Sequence, residues 1–199
     1  IFILSVLGGI SSKEELRKHI LMYRKMLDAQ VYIERNQQIQ NLCLALMENL
    51  NIQYFHTYLA ISKNKEPETQ TIIQASWSCG RQVLISKTDF QNRSMSHHTY
   101  EPTDKIQINR YGIREPLHQA SAALDDLQAI LVPLLVVDKK GNRIGYGKGY
   151  YDELLSEISH LKVQKIGLCL SGPVDLIPYV EAHDVALDYC ITPHKLYRF

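Results

Sequence analysis

The sequence predicts an α/β fold built on a mainly parallel sheet, and three observations carry that expectation. Strand-like and helix-like stretches alternate along the chain, residues 129–137 are nearly all apolar, and a glycine-rich loop follows them before another helix. An unbroken apolar run suits a central parallel strand covered by helices on both faces.

The elements follow in order. Ser12 and Glu15 have capping-box spacing, and Leu16, Ile20 and Leu27 then recur at helical intervals, with Tyr23 and Met26 beside them. Asp28 caps a second helix running to about Leu50, with Ile33, Leu42, Leu46 and Leu50 on its apolar side. Residues 54–61 are rich in β-formers and read as a strand, residues 62–68 as a loop. Thr69 starts a helix that ends at Gly80, a good C-terminal cap. Residues 82–85 form a short buried strand, 87–96 a polar loop, and weaker strand signals follow at 97–100 and 105–108. Residues 111–116 are a turn, and 117–127 are ambiguous. After the 129–137 strand and the 138–148 loop, Gly149 or Tyr150 opens a helix to about His160. A strand at 165–170, a loop or short helix at 171–178 and a closing strand at 185–192 complete the chain.

Bulk composition narrows the function classes. Among 199 residues, 22 are basic and 21 acidic, a net charge of +1. Such a balance argues against a general nucleic-acid surface or a polybasic membrane anchor. The cysteines Cys43, Cys79, Cys169 and Cys190 have no metal-knuckle spacing and read as free core thiols, which suits a reducing cytoplasm. Residues 1–10 are apolar but too short for a span of about 20 residues, and no basic stretch precedes them. They read as a leader or disordered tail, consistent with the missing initial Met, leaving residues 11–199 as a single domain.

Residues 141–152, Gly-Asn-Arg-Ile-Gly-Tyr-Gly-Lys-Gly-Tyr-Tyr-Asp, read as a phosphate-binding loop running into a helix. Gly141, Gly145, Gly147 and Gly149 let the backbone curl and aim its N–H groups at one point. The helix start adds a positive end, and Arg143 and Lys148 add full charges. Asp152 either holds a cation between itself and the phosphates or is a first-turn acid favoured by the helix dipole. The loop is not a Walker A motif, because Gly149 stands where Ser or Thr is required. Other candidates read as structure. Lys13, Arg17 and Arg24 taken alone form a solvated helix face, and Glu66 a loop acid. His97 and His98 point to opposite faces of a strand and read as surface. Trp77 reads as core, and His183-Asp184 as a candidate acid–base pair.

Val137-Asp138 and the loop together resemble the signature of the 5-formyltetrahydrofolate cyclo-ligase family, also called methenyltetrahydrofolate synthetases. Further blocks are similar in family order: Lys13-x-x-x-Arg17 with Arg24, Glu66-Pro-Glu-Thr69, Tyr111-Gly-Ile-Arg-Glu-Pro116, and Pro178-x-x-x-x-His183-Asp184 with Asp188 and Thr192. The resemblance implies a three-layer α/β/α sandwich related to the sugar-phosphate isomerases and CoA transferases. It implies a cytoplasmic ligase of one-carbon metabolism that uses ATP and Mg2+ to convert 5-formyltetrahydrofolate to 5,10-methenyltetrahydrofolate, ADP and phosphate. It implies no nucleic-acid or membrane partner, and a monomer or weak homodimer. Lys13, Arg17, Arg143, Ile144, Gly145, Tyr146, Gly147, Lys148, Gly149 and Tyr150 would bind ATP, with Arg143 and Lys148 catalytic. Glu66, Tyr150 and Tyr151 would meet the folate, and Asp152 and Asp184 would hold Mg2+. Tyr146 stands where some members carry Arg, so charge stabilisation from that position is lost or supplied elsewhere. The stretch Leu170–Pro173 lacks the expected aromatic residue. Two other classes compete: an isomerase or acyltransferase of the related fold that needs no ATP, and a binding module without turnover.

Overall fold

The computed structural model describes residues 12–117, 121–181 and 184–199; the expectations for residues 1–10 and for His183 lie outside the described residues. Helix α1 (Lys13–Met26) begins where the Ser12 hydroxyl accepts from the Glu15 N–H at 3.2 Å. It buries Leu16, Ile20 and Arg24, whereas Met26 is 77% exposed. Arg24, expected on a solvated face, is therefore a correction. Its guanidinium donates to the Leu134 carbonyl at 2.5 Å, which satisfies it away from water.

Helix α2 (Ala29–Asn49) starts on the Asp28 carboxylate, which accepts from the Gln30 and Val31 N–H groups. Its inward stripe is Asn36, Ile39, Cys43, Leu46 and Met47. Ile33 is 57% exposed: Tyr32 takes the inward place instead, its hydroxyl donating to the Glu66 carbonyl at 2.6 Å.

Strand β1 (Tyr54–Thr57) is shorter than expected, because residues 58–61 leave the ladder to wall a cavity. Helix α3 (Gln70–Ser78) follows, with Gly80 past its end at φ +74°. Strand β2 (Gln82–Asp89) and strand β3 (Ser94–Thr99) form an antiparallel hairpin over residues expected to be a loop. The polar sequence of β3 hid it, as is common for strands at a sheet edge. Strand β4 (Ile106–Ile108) pairs with strand β5 (Arg114–Pro116), so part of the expected turn is a strand. The apolar run 129–137 is not one strand. Strand β6 (Ala129–Pro133) ends at Pro133, which lacks a ladder donor. Strand β7 (Val136–Val137) then pairs with strand β8 (Arg143–Ile144), inside the expected loop. Helix α4 (Tyr150–Glu157), strand β9 (Gln164–Leu168), strand β10 (Tyr189–Ile191) and strand β11 (Leu196–Arg198) complete the order. The terminal β11, antiparallel to β10, was not expected.

The main sheet runs β11-β10-β9-β6-β1-β2-β3, parallel except at its two outer pairs. Period-two alternation sends Val83, Ile85, Ala129 and Leu131 to one face against α2 and α3, and Leu84, Ile130 and Val132 to the other against α4. Those are the three layers. A third apolar cluster joins Leu16 and Ile20 of α1 to Val136, Ile144, Val174 and Ile177, and so fixes α1 onto the β7–β8 hairpin. Each such side chain contributes about 1.5–3 kcal/mol by its burial. Cys43, Cys169 and Cys190 are buried thiols, but Cys79 is exposed beyond the C-terminus of α3.

Candidate active site

A cavity of about 570 Å³ opens outside the carboxyl ends of β1 and β6, where open α/β sheets bind ligands. Residues of α1 and the glycine loop line part of it. The hairpin preceding that loop is held by Asp138, whose fully buried carboxylate accepts from the N–H groups of Lys140, Asn142 and Ile177 at 2.8, 2.9 and 3.1 Å. Sequence reasoning placed Asp138 in the signature without a role, although an Asp at a strand end before Lys-Lys-Gly-Asn is an Asx-turn signal.

Beyond the hairpin the backbone turns left-handed at Gly147 (φ +79°) and at Gly149 (φ +80°), the latter opening α4. Arg17 lies against this turn, its Nε donating to the Gly145 carbonyl at 3.0 Å. A Cβ at Gly147 would stand 2.8 Å from the Arg17 guanidinium carbon, so only glycine allows that approach. Lys148 is exposed and has no ion pair among the described residues. Ile144 is a core residue on β8, 2% exposed, and brings backbone rather than side chain to the loop's base.

The two cations flanking the loop hold carboxylates. Arg143 is buried and donates to Asp152 at 2.5 Å and to the Val185 carbonyl. Lys13 pairs with Asp184 at 3.0 Å and with Glu181 at 2.8 Å. Burial opposes the Lys13 charge, yet hydrogen bonds and charge from Glu181 and Asp184 outweigh it and raise the pKa. Asp152 and Asp184 line the same cavity. Among the described residues no group of three or more His, Cys, Asp or Glu could hold a metal.

Glu66, which lines the same cavity, is 3% exposed and accepts from the Ile61 N–H at 2.5 Å. It is aimed by its predecessor. Lys65 adopts a left-handed conformation (φ +45°) closing the 3-10 turn Ser62–Asn64, and its ammonium caps the Lys25 and Leu27 carbonyls at the end of α1. Burial raises the Glu66 pKa, against the Tyr146 hydroxyl, the Ile61 N–H and the Arg24 charge, which all lower it. Burial, with Glu66 nearby, pushes the Tyr151 phenol far up, so it stays a neutral hydroxyl. Phe90 stands 4.2 Å from Tyr111 and 6.1 Å from Tyr150, ring to ring. These rings, with Met95 and Ile113, supply the aromatic and apolar wall that residues 170–173 lack. Phe90 and Met95 were illegible as wall because they belong to the hairpin expected as a loop, whereas Tyr150 was expected at the folate.

Beneath the cavity, His56 Nε2 is 2.7 Å from the Ser86 hydroxyl and 3.3 Å from His97 Nδ1. His97 and His98, expected on the surface, are 7% and 5% exposed. Their opposite facing holds, since His98 Nε2 meets Ser96 at 2.7 Å instead. Burial lowers the His97 pKa to about 4, and lowers that of His56 well below its usual range. The unfolded chain therefore takes up these protons first, and stability falls as the pH drops from about 6.5 to about 4. The urea midpoint should decline across that window, and His97→Gln should flatten the decline. An unchanged slope in the variant would contradict this.

Residues 9–193 match the model of the 5-formyltetrahydrofolate cyclo-ligase family. A probable 5-formyltetrahydrofolate cyclo-ligase of Schizosaccharomyces pombe is 32% identical over 148 residues, covering 67% of this chain and 72% of that protein. The 5-formyltetrahydrofolate cyclo-ligase of Mycolicibacterium smegmatis is 35% identical over 191 residues, covering 92% and 95%. The NMR structure of Aquifex aeolicus 5,10-methenyltetrahydrofolate synthetase superposes with a TM-score of 0.72 at 23% identity, covering 94% of this chain and 92% of that one. A 5,10-methenyltetrahydrofolate synthetase from Mycoplasma pneumoniae gives 0.72 at 20% identity, covering 92% and 99%. The two structures bear on the α/β fold, and the family match bears on the kind of protein. The chain belongs to the 5-formyltetrahydrofolate cyclo-ligase family and is an enzyme of that kind.

Proposed function

We propose that this chain closes 5-formyltetrahydrofolate to 5,10-methenyltetrahydrofolate at the expense of ATP, releasing ADP and phosphate with Mg2+ present. What most supports this reading is the lining of one cavity, which joins a glycine loop with Arg17 and Lys148 to Glu66 and a tyrosine-rich wall. A triphosphate suits the first set of groups and a flat heterocycle the second.

A formamide carbonyl oxygen is a poor leaving group, and phosphorylation makes it a good one. The formyl oxygen attacks the γ-phosphorus and ADP leaves. Nitrogen 10 then attacks the formyl carbon and loses its proton as phosphate departs. Such chemistry asks for positioning and charge neutralisation rather than a nucleophilic side chain. In this reading Arg17, Lys148 and the loop N–H groups hold phosphate oxygens, Glu66 accepts from pterin N–H groups, and Tyr150 and Tyr151 contact the folate.

The pair Asp152 and Asp184 fits Mg2+, which commonly takes one or two carboxylates and fills its other positions with water and phosphate oxygens. These two would hold it, and the ion would neutralise charge on the phosphates. Arg143 and Lys13 keep both carboxylates oriented. No helix among the described residues is long and apolar enough to cross a membrane. The reading extends to one catalytic domain working in the cytoplasm, as a monomer or weak homodimer, without nucleic-acid or membrane partners.

Lys148→Ala tests the loop assignment. The KM for ATP should rise about tenfold or more, the loss of one charge-assisted contact, while the KM for 5-formyltetrahydrofolate and the circular dichroism stay as in the parent. A variant with the parent's ATP dependence would remove Lys148 from the nucleotide site.

A further inference from the structure

We propose that Ser86 is a further folate-binding residue: its hydroxyl, oriented by the buried His56, donates a hydrogen bond to an acceptor oxygen or ring nitrogen of the substrate. The identity of that substrate rests on the functional reading above, but the orientation of the hydroxyl does not.

The sheet register sets the place. Thr57, the last residue of β1, pairs with Ile85, so Ser86 stands one residue past the carboxyl end of that strand. Period-two alternation puts Ser86 on one face with Leu84 and Thr88, and pairing adds His56 of β1 and His97 of β3. Leu84 belongs to the apolar cluster under α4, whereas Ser86 and Thr88 line the cavity. Tyr151, also in the cavity wall, stands 6.2 Å from His56, ring to ring. His56 thus borders two cavity residues without lining the cavity itself.

An imidazole is costly in this position. His56 is fully buried, and the residues paired with it, Leu84 and Ile130, are core. An aliphatic side chain would suit that place and leave no polar group to satisfy. Breaks of this kind in a core pattern concentrate at functional sites.

The His56 ring also fixes the direction of the hydrogen bond. Burial lowers its pKa, so the ring is neutral and carries one proton. Its Nδ1 has no hydrogen-bond partner among the described residues. A bare lone pair there is the lesser loss, because orphaned N–H groups are rarer in folded proteins than under-satisfied acceptors. The proton therefore sits on Nε2, which donates to the Ser86 hydroxyl at 2.7 Å, nearer than His97 Nδ1 at 3.3 Å. Having accepted there, the hydroxyl keeps its own proton to give. His97 Nδ1 is 3.4 Å from it, longer than a well-formed hydrogen bond. A ligand acceptor in the cavity offers Ser86 a shorter bond than the fold does. Ser86 is then the residue that touches substrate, and His56 a positioning residue acting through it.

Ser86→Ala removes the donor and keeps the strand. The KM for 5-formyltetrahydrofolate, and its Kd measured without ATP, should rise about fivefold, the worth of one uncharged hydrogen bond. The KM for ATP should stay as in the parent, and Ser86→Thr, which restores a hydroxyl, should return both folate constants. His56→Leu, which fills the core position but cannot orient the hydroxyl, should raise the folate constants about twofold or more without lowering Tm. In 15N spectra of the ligand-free protein with labelled histidine, His56 should be the Nε2–H tautomer. Folate constants unmoved in Ser86→Ala, folate and ATP constants rising together, or an Nδ1–H tautomer of His56 would each overturn the proposal. If the parent binds 5-formyltetrahydrofolate without converting it, the functional reading fails and the Kd ratio alone decides the role of Ser86. A parent that does not bind it overturns both.

Discussion

Gly147→Ala should raise the KM for ATP by about ten- to a hundredfold, with a fall in Tm of only several degrees. Two costs meet at this residue. An L side chain at φ +79° is in left-handed backbone, costing about 1–2 kcal/mol. Its Cβ would also lie 2.8 Å from the Arg17 Cζ and 3.0 Å from the Arg17 Nε. Arg17 is the far end of a flexible side chain, so it moves rather than the sheet. In moving it leaves the Gly145 carbonyl and the mouth of the loop. Loss of a charge-assisted contact of about 1.5–3 kcal/mol gives the stated range in affinity, and about 1–2 kcal/mol of strain gives the stated range in Tm. Arg17→Ala should reproduce the ATP effect without the strain. A Gly147→Ala protein with the parent's ATP KM would show that Arg17 and the loop do not act together on the nucleotide.

Glu66→Gln should lower kcat/KM for 5-formyltetrahydrofolate by about ten- to a hundredfold, the worth of hydrogen bonds to a charged acceptor, and leave the ATP KM alone. It should also change the pH dependence of stability in a direction fixed by burial. The Glu66 pKa is raised on folding, so between its unfolded and folded values the native state binds the extra proton. Parent stability from this group is therefore greatest at low pH and is lost as the pH rises through the folded pKa. Relative to the parent, Glu66→Gln should gain stability as the pH is raised above the usual Glu range of about 4.3. A stability difference independent of pH would mean that Glu66 carries no burial penalty. A carboxyl group buried at a cost to the fold is a common mark of a binding site.

The parts legible in the sequence were those whose cause is local. Ser12 and Asp28 begin helices because their side chains reach N–H groups two or three residues away. The 129–133 strand is apolar because helices cover both its faces, and the glycines at 147 and 149 announce backbone that other residues resist. The illegible parts depend on distant pairing. Arg24 is indistinguishable from a surface arginine until α1 is laid on Leu134, 110 positions later. His56 and His97 meet only because β2 lies between their strands. The β2–β3 hairpin carries Ser, His and Thr at the sheet edge, so its pattern imitates a loop, and with it the wall formed by Phe90 and Met95 went unseen. Arg143 and Asp152 were each legible as functional residues, but not as partners 2.5 Å apart.

The central claim is that one cavity couples ATP cleavage to closure of the folate ring. The direct measurement follows methenyl absorbance and ADP together in one reaction containing the protein, 5-formyltetrahydrofolate, ATP and Mg2+. The account predicts one ADP per methenyl product, and no product when ATP is omitted. Product formed without ATP, or tight folate binding with neither product nor ADP, would contradict it.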